Sequence, residues 1–146
     1  MCGGVKYTDK QQKAWTVYFP SPKAALPVLK KDGEIEWVIW GKRKEEADKF
    51  FINGGWARLD SVNAGKWEYC HPKPVLIPVQ SFMEKGHDKK SHWFDVPTNQ
   101  VIQGLLAKHN GEARVYVVTK DTPKEYSYIH DRWPRIVNQI YNLLCL

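Results

Sequence analysis

The stretch 25-ALPVLKKDGEIEWVIW-40 decides the fold class. Two apolar segments rich in β-branched and aromatic residues, 25–29 and 35–40, flank Lys30-Lys31-Asp32-Gly33-Glu34. Asp-Gly supplies the left-handed backbone positions that a tight turn needs, so the stretch predicts a β-hairpin. Working outward, 14–19 predicts a strand that stops at Pro20-Ser21-Pro22. The charged run after Trp40, 41–49, predicts a loop or a short exposed helix. Gly54-Gly55 predicts a tight or closely approached backbone. Residues 61–69 are expected as a short helix with Ser61 as N-cap. Residues 74–79 predict a buried strand, 86–91 a polar turn and 92–96 the returning strand. Val101, Ile102, Leu105 and Leu106 fall at helical spacing, so a helix is expected over 98–109, stopped by Gly111. Residues 113–119 alternate and are β-branched, hence a strand. Ile136, Val137, Ile140, Tyr141 and Leu144 form a helical stripe near the C-terminus. Strands and helices mix without a regular βαβ alternation, which predicts α+β in a single domain over residues 1–146.

Composition narrows the function classes. The chain has 146 residues, 22 Lys+Arg against 16 Asp+Glu, and a formal net charge of +6. Its 42% hydrophobic and 26% charged content is that of a folded domain rather than a disordered chain. No apolar run approaches the roughly 20 residues of a membrane-spanning helix. The first 13 residues are polar, without the apolar core of a secretory signal. Three cysteines, Cys2, Cys70 and Cys145, do not make a disulfide framework, so a reduced intracellular, cytoplasmic setting is expected. A pI near 9.2 and a 13% aromatic content point toward a polyanionic partner with bases to stack. Cys70 and His71 are adjacent, and neither they nor His87 and His92 show ligand spacing, so no metal and no cofactor is expected.

The sharpest chemistry lies at the start of the chain. Cys2 follows Met1, and a small second residue favours removal of the initiator Met. The product is a 1,2-aminothiol, whose amine and thiol titrate near ~8 and ~8.5. The amine condenses with an aldehyde, and the thiolate closes on the same carbon to a five-membered thiazolidine. The same pair suits acyl transfer, with the amine as base for the thiol. While Met1 remains, the Cys2 nitrogen is an amide and only the thiol is left. Gly3-Gly4 lets the backbone fold closely around this terminus.

Five pieces of the sequence, in order, resemble one family. Met1-Cys2-Gly3-Gly4 is similar to the Met-Cys-Gly-Arg start of the SOS-response-associated peptidase (SRAP, abasic-site processing) proteins. Val38-Ile39-Trp40-Gly41 resembles their strand ending in Trp-Gly. Ala57-Arg58-Leu59-Asp60-Ser61-Val62 resembles their Asn-Ala-Arg-x-Glu-Thr. Val75-Leu76-Ile77-Pro78 with Ser81-Phe82-Met83-Glu84 resembles their Ile-Pro followed by Gly-Phe-Tyr-Glu-Trp. Tyr116-Val117-Val118-Thr119 and then Ile129-His130-Asp131-Arg132-Trp133-Pro134 resemble their Thr-containing strand and Ile-His-Asp-Arg-Met-Pro.

The resemblance implies a strongly curved, barrel-like mixed sheet flanked by helices. It implies covalent capture of abasic sites in single-stranded DNA by Cys2 through a thiazolidine DNA–protein crosslink, with AP-lyase activity as an extension. Cys2 would be nucleophile and Schiff-base amine, and Glu84 and His130 would move protons. Arg58 and Arg132 would hold phosphates beside the lesion. A bland alternative pairs these arginines with Asp60 and Asp131, makes Glu84 a surface carboxylate and His130-Asp131-Arg132 a capped turn. Trp40, Trp56 and Trp133 would then be core. Gly4 replaces the family's Arg. The family's Asn falls at Trp56, or at Asn53 if Gly54-Gly55-Trp56 is an insertion. The family's DNA-wedging loop shrinks to the charged run 42–49. Two other function classes stay open: an N-terminal-cysteine peptidase or amidohydrolase, which needs an oxyanion hole beside Cys2, and a non-catalytic single-stranded DNA binder. A monomer with no membrane partner is expected.

Overall fold

The computed structural model describes residues 2–139. In chain order the elements are β1 (Cys2–Thr8), β2 (Ala14–Tyr18), β3 (Ala25–Leu29), β4 (Ile35–Ile39), β5 (Trp56–Arg58), α1 (Leu59–Asn63), β6 (Lys73–Ile77), β7 (Ser81–Lys85), β8 (Ser91–Asp95), β9 (Gln100–His109), β10 (Glu112–Asp121), β11 (Arg132–Pro134) and β12 (Ile136–Asn138). Single 3-10 turns occupy Glu68–Cys70 and Lys124–Tyr126. The class is mixed α+β, dominated by strands.

The strands form two sheets. The smaller has the order β2-β1-β7-β8, all antiparallel. The larger has the order β11-β10-β9-β6-β3-β4, with β5 added parallel to β10 and β12 antiparallel to β9. Neither sheet closes into a barrel. The helical elements within residues 2–139 are the five-residue α1 and the two 3-10 turns, so no long helix flanks the sheets among the described residues. No helix among them is long and apolar enough to cross a membrane.

The hairpin of β3 and β4 forms as its sequence dictates. Leu29 pairs with Ile35, Gly33 takes φ +86°, and the Asp32 carboxylate accepts the Glu34 N–H at 2.9 Å. The segment 98–109 is different: it is the ten-residue strand β9 and not a helix. β9 lies between β10 and β6, with a core on each face, so apolar residues need not alternate along it. The spacing of Val101, Ile102, Leu105 and Leu106 therefore fits a doubly buried strand as well as a helical stripe. Gly104 lets β9 lie close to β6, because a Cβ there would stand 2.7 Å from Ile77 Cδ1.

Other expectations are corrected in the same way. Ile136 and Val137 lie on strand β12, not on a helix, and Ile140, Tyr141 and Leu144 lie outside the described residues, as does Cys145. Helix α1 starts two residues before Ser61, and Arg58 occupies the N-cap position without a side-chain bond. The run 41–49 is a loop, yet Lys42 and Arg43 are buried in it. The Arg43 guanidinium donates to the Trp40 and Phe19 carbonyls at 2.6 Å each, and the loop packs down through Arg114, which pairs with Glu46 at 3.0 Å.

The main core fills the space between the sheets. Val5 and Phe82 of the small sheet meet Leu26, Ile77, Ile102, Val115 and Val117 of the large one. Burying each such side chain stabilises the fold by about 1.5–3 kcal/mol. A second core on the other face of the large sheet holds Phe51, Trp67, Cys70 and Tyr116. Gly55 lies where Trp40 passes: a Cβ there would be 2.6 Å from Trp40 Nε1, which instead donates to the Gly55 carbonyl at 2.9 Å.

Candidate active site

The site begins with an irregularity in β1. Val5 pairs with Phe82 and Gly4 with Met83, but Glu84 pairs with Cys2, so Gly3 is the extra residue of a β-bulge. The consequence follows from the two-residue period of a strand. In a regular ladder Gly3 would face Glu84, and Cys2 would point to the opposite face. The bulge puts Cys2 on the core face with Val5, Phe82 and Glu84. Residues directly opposite in an antiparallel pair hold their Cβ atoms about 4.5–5.5 Å apart on one face. Cys2 and Glu84 are both fully buried.

Burial sets the charge states. Desolvation pushes the Glu84 carboxyl up to about 7, against the pull of the positive amino terminus. Burial also pushes the Cys2 thiol well up, and the Glu84 charge adds to that. The thiol Sγ donates to the Gly4 carbonyl at 3.5 Å. With Met1 in place the thiol is therefore stored protonated. The Glu84 proton is lost and gained near neutral pH, as a proton-transfer group requires.

Trp56 holds Cys2 from the second sheet. Strand β5 runs parallel to β10, with Trp56 beside Val117, and the Trp56 indole N–H donates to the Cys2 carbonyl at 2.5 Å. Phe19 packs against the Trp56 ring at 4.8 Å. Asn53, the other residue proposed for this position, is exposed in the preceding loop, where its side-chain oxygen accepts from Lys42 Nζ at 2.6 Å. The fold brings Trp56 to Cys2 and directs Asn53 to Lys42.

His130 approaches from the segment before β11. Its Nδ1 accepts the Arg132 backbone N–H at 3.1 Å, which places the proton of the neutral ring on Nε2. Burial lowers its pKa, and the positive amino terminus and His87 lower it further. The neutral ring therefore offers an N–H donor at pH 7. The charge of the amino terminus acts on both Glu84 and His130. His87 joins them, and sequence reasoning had weighed it only as a metal ligand. Its backbone N–H donates to the Ile129 carbonyl at 3.1 Å, and its ring lies parallel to His130 (2°) with centroids 6.1 Å apart. The only signal in the sequence is its position three residues after Glu84, across the Gly86 turn.

The arginines sit at the end of β10. Arg58 pairs with Thr119 across β5–β10, and Arg132 with Asp121 across β10–β11. Arg58 forks onto Asp60 at 3.1 and 3.0 Å, which holds the Asp60 carboxyl down to about 2. Arg132 donates to Asp121 at 2.9 Å and to the Thr119 carbonyl at 2.8 Å. The pairing of Arg132 is thus with Asp121, not Asp131. Arg58 lies two residues beyond Trp56 on β5, about 7 Å along the strand at ~3.3 Å per residue.

Trp40 and Trp133 are core residues. Cys70 belongs to the second core, where its Sγ donates to the Trp67 carbonyl at 2.9 Å. Among the described residues no group of three or more His, Cys, Asp or Glu side chains is placed to hold a metal ion. The chain matches no protein-family model and no curated protein.

Proposed function

We propose that this chain captures the ring-opened aldehyde of an abasic site in single-stranded DNA through Cys2, in the manner of the SRAP proteins that its motifs resemble. The observation that carries the reading is the placement of Cys2 directly across from Glu84, on the core face, by the bulge at Gly3. An aldehyde needs two nucleophiles on adjacent carbons and a proton carrier beside them to become a stable ring.

With Met1 removed, the Cys2 amine adds to the aldehyde carbon to give a carbinolamine. Glu84, its carboxyl pushed up by burial, gives its proton to the departing hydroxyl, which leaves as water, and an iminium remains. The thiol sulfur then adds to the imine carbon. Its proton goes to the carboxylate, and the electron pair of the C=N bond returns to nitrogen, which keeps its one hydrogen as a neutral ring N–H. One C–N and one C–S bond form, the C=O bond is lost, and one water leaves. His130 donates from Nε2 to the sugar oxygen as the ring opens. Arg58 and Arg132 hold the flanking phosphates once Asp60 and Asp121 give way to them.

A second reading, a single-stranded DNA binder without chemistry, is favoured by the full burial of the thiol in the chain that keeps Met1. Intact mass separates the two. The protein is measured alone and after incubation with single-stranded DNA bearing one abasic site. Loss of Met1 and a denaturation-resistant adduct, absent in Cys2→Ala, is the expected result. Loss of Met1 without an adduct overturns capture and leaves the binder.

A further inference from the structure

Among the described residues β2 and β4 end the strand orders of the two sheets, and rings on these two strands meet. Trp15 of β2 and Trp37 of β4 have centroids 5.2 Å apart. Tyr7 of β1 completes a three-ring floor, 5.9 Å from Trp15 and 5.6 Å from Trp37. Trp37 is 40% exposed, a large apolar surface left facing water.

The floor lies within a continuous groove. On one side of Trp15 and Trp37 is a hollow of about 350 Å³, bounded by the outer edge of β2 and by Lys23. On the other is one of about 210 Å³, walled by Lys10 and Ile35. A third, of about 470 Å³, shares Tyr7 and Lys10 with the second and runs on to Lys31. Lys13 Nζ sits 4.9 Å from the Trp15 ring centroid. Lys30 is engaged by Asp32 at 3.8 Å, but among the described residues Lys10, Lys13, Lys23 and Lys31 have no ion-pair partner. The acidic Asp9 in the groove wall is occupied by the backbone N–H of Lys13 at 2.8 Å. Glu34 is the other carboxylate lining it.

We propose that this groove is a second binding track for single-stranded nucleic acid, with bases stacked on Trp37 and Trp15 and phosphates held by the uncompensated lysines. The chemistry fits that ligand: one base-sized ring, Trp37, stands exposed beside the half-buried Trp15, rimmed by cations free to release counterions. A duplex keeps its bases stacked on one another and cannot use the rings. The track is separate from the candidate active site. Tyr7 is five residues from Cys2 along β1, about 17 Å at ~3.3 Å per residue. It would hold undamaged strand beyond the lesion, and it rests on the single-strand reading above for its choice of ligand.

The test is binding of an undamaged oligo(dT) of about 20 nucleotides, followed by anisotropy and by quenching of tryptophan fluorescence. Trp37→Ala should weaken binding about tenfold, the loss of one stacked base. The double change Lys13→Glu and Lys23→Glu, at two exposed positions that do not endanger folding, should weaken it and flatten the salt slope by about 0.7 per lost phosphate contact. Wild-type affinity in both variants overturns the proposal. So does equal competition by duplex DNA, or a wild-type chain that does not bind oligo(dT). Capture at Cys2 is read separately, as adduct yield on a short abasic oligonucleotide that does not reach the groove. If that adduct fails while oligo(dT) binding still depends on Trp37, capture falls and the track stands.

Discussion

Cys2 and Glu84 stand opposite each other across the β1–β7 ladder, both fully buried and on the same face, because Gly3 is bulged out of register. The thiol packs into the core as a small apolar group, whereas the buried carboxylate gains nothing from packing. The arrangement costs stability, and that cost is measurable.

Burial raises the Glu84 carboxyl from 4.5 to about 7. The folded state then holds this proton more tightly than the unfolded state does. Stability is fullest below pH ~4.5, falls as pH rises toward about 7, and is flat above that. The carboxylate costs about 3 kcal/mol at pH 8. Glu84→Gln should therefore be more stable than wild type at pH 8 and no more stable near pH 4, by urea unfolding at both values. It should also lose adduct formation at pH 7 by at least about tenfold, since the amide carries no transferable proton.

Gly3→Val, a residue that favours the regular ladder over the bulge, should turn Cys2 to the opposite face. The expected result is a folded chain, by circular dichroism, whose adduct yield drops at least about 100-fold, as a misplaced reacting group loses about that much. An unchanged yield would show that the bulge does not aim the thiol.

Trp56→Phe keeps a ring against Phe19 but removes the N–H that reaches the Cys2 carbonyl. A loss of about 1–2 kcal/mol in unfolding free energy is expected, together with a slower adduct, because the first residue of β1 is no longer held.

Arg58 is exposed and forked onto Asp60. Asp60→Asn removes that competitor without touching the core. Affinity for single-stranded DNA should rise about threefold at low salt and the gain should shrink as salt is added, by anisotropy titration. A weakened complex would mean that Asp60 orients Arg58 for the strand rather than competing for it.

Much of the strand framework was legible locally. Asp32-Gly33 marked the β3–β4 hairpin, although only Gly33 takes a left-handed position, and Asp32 acts through its carboxylate on the Glu34 N–H. The alternation around Val115 and Val117 marked β10, and Gly54-Gly55 marked a close approach that Trp40 and Phe19 make. The segment around Leu105 was not legible, since a strand with a core on both faces and an amphipathic helix can show the same apolar spacing. Lys42 and Arg43 were equally opaque: the Trp40 and Phe19 carbonyls receive the buried Arg43, and the Asn53 side chain receives Lys42, partners that only the fold brings.

The sequence by itself determined the chemistry on offer: a thiol at position 2, a carboxylate at 84, imidazoles at 87 and 130, arginines at 58 and 132, and an excess of positive charge. Tertiary structure alone decided which of these meet. One extra residue in β1 chose the face on which Cys2 lies, β5 chose Trp56 over Asn53 as its neighbour, and Asp121 rather than Asp131 took Arg132. The physical reason is that side-chain identity is local, whereas ladder register and sheet order are set by burying a whole core at once.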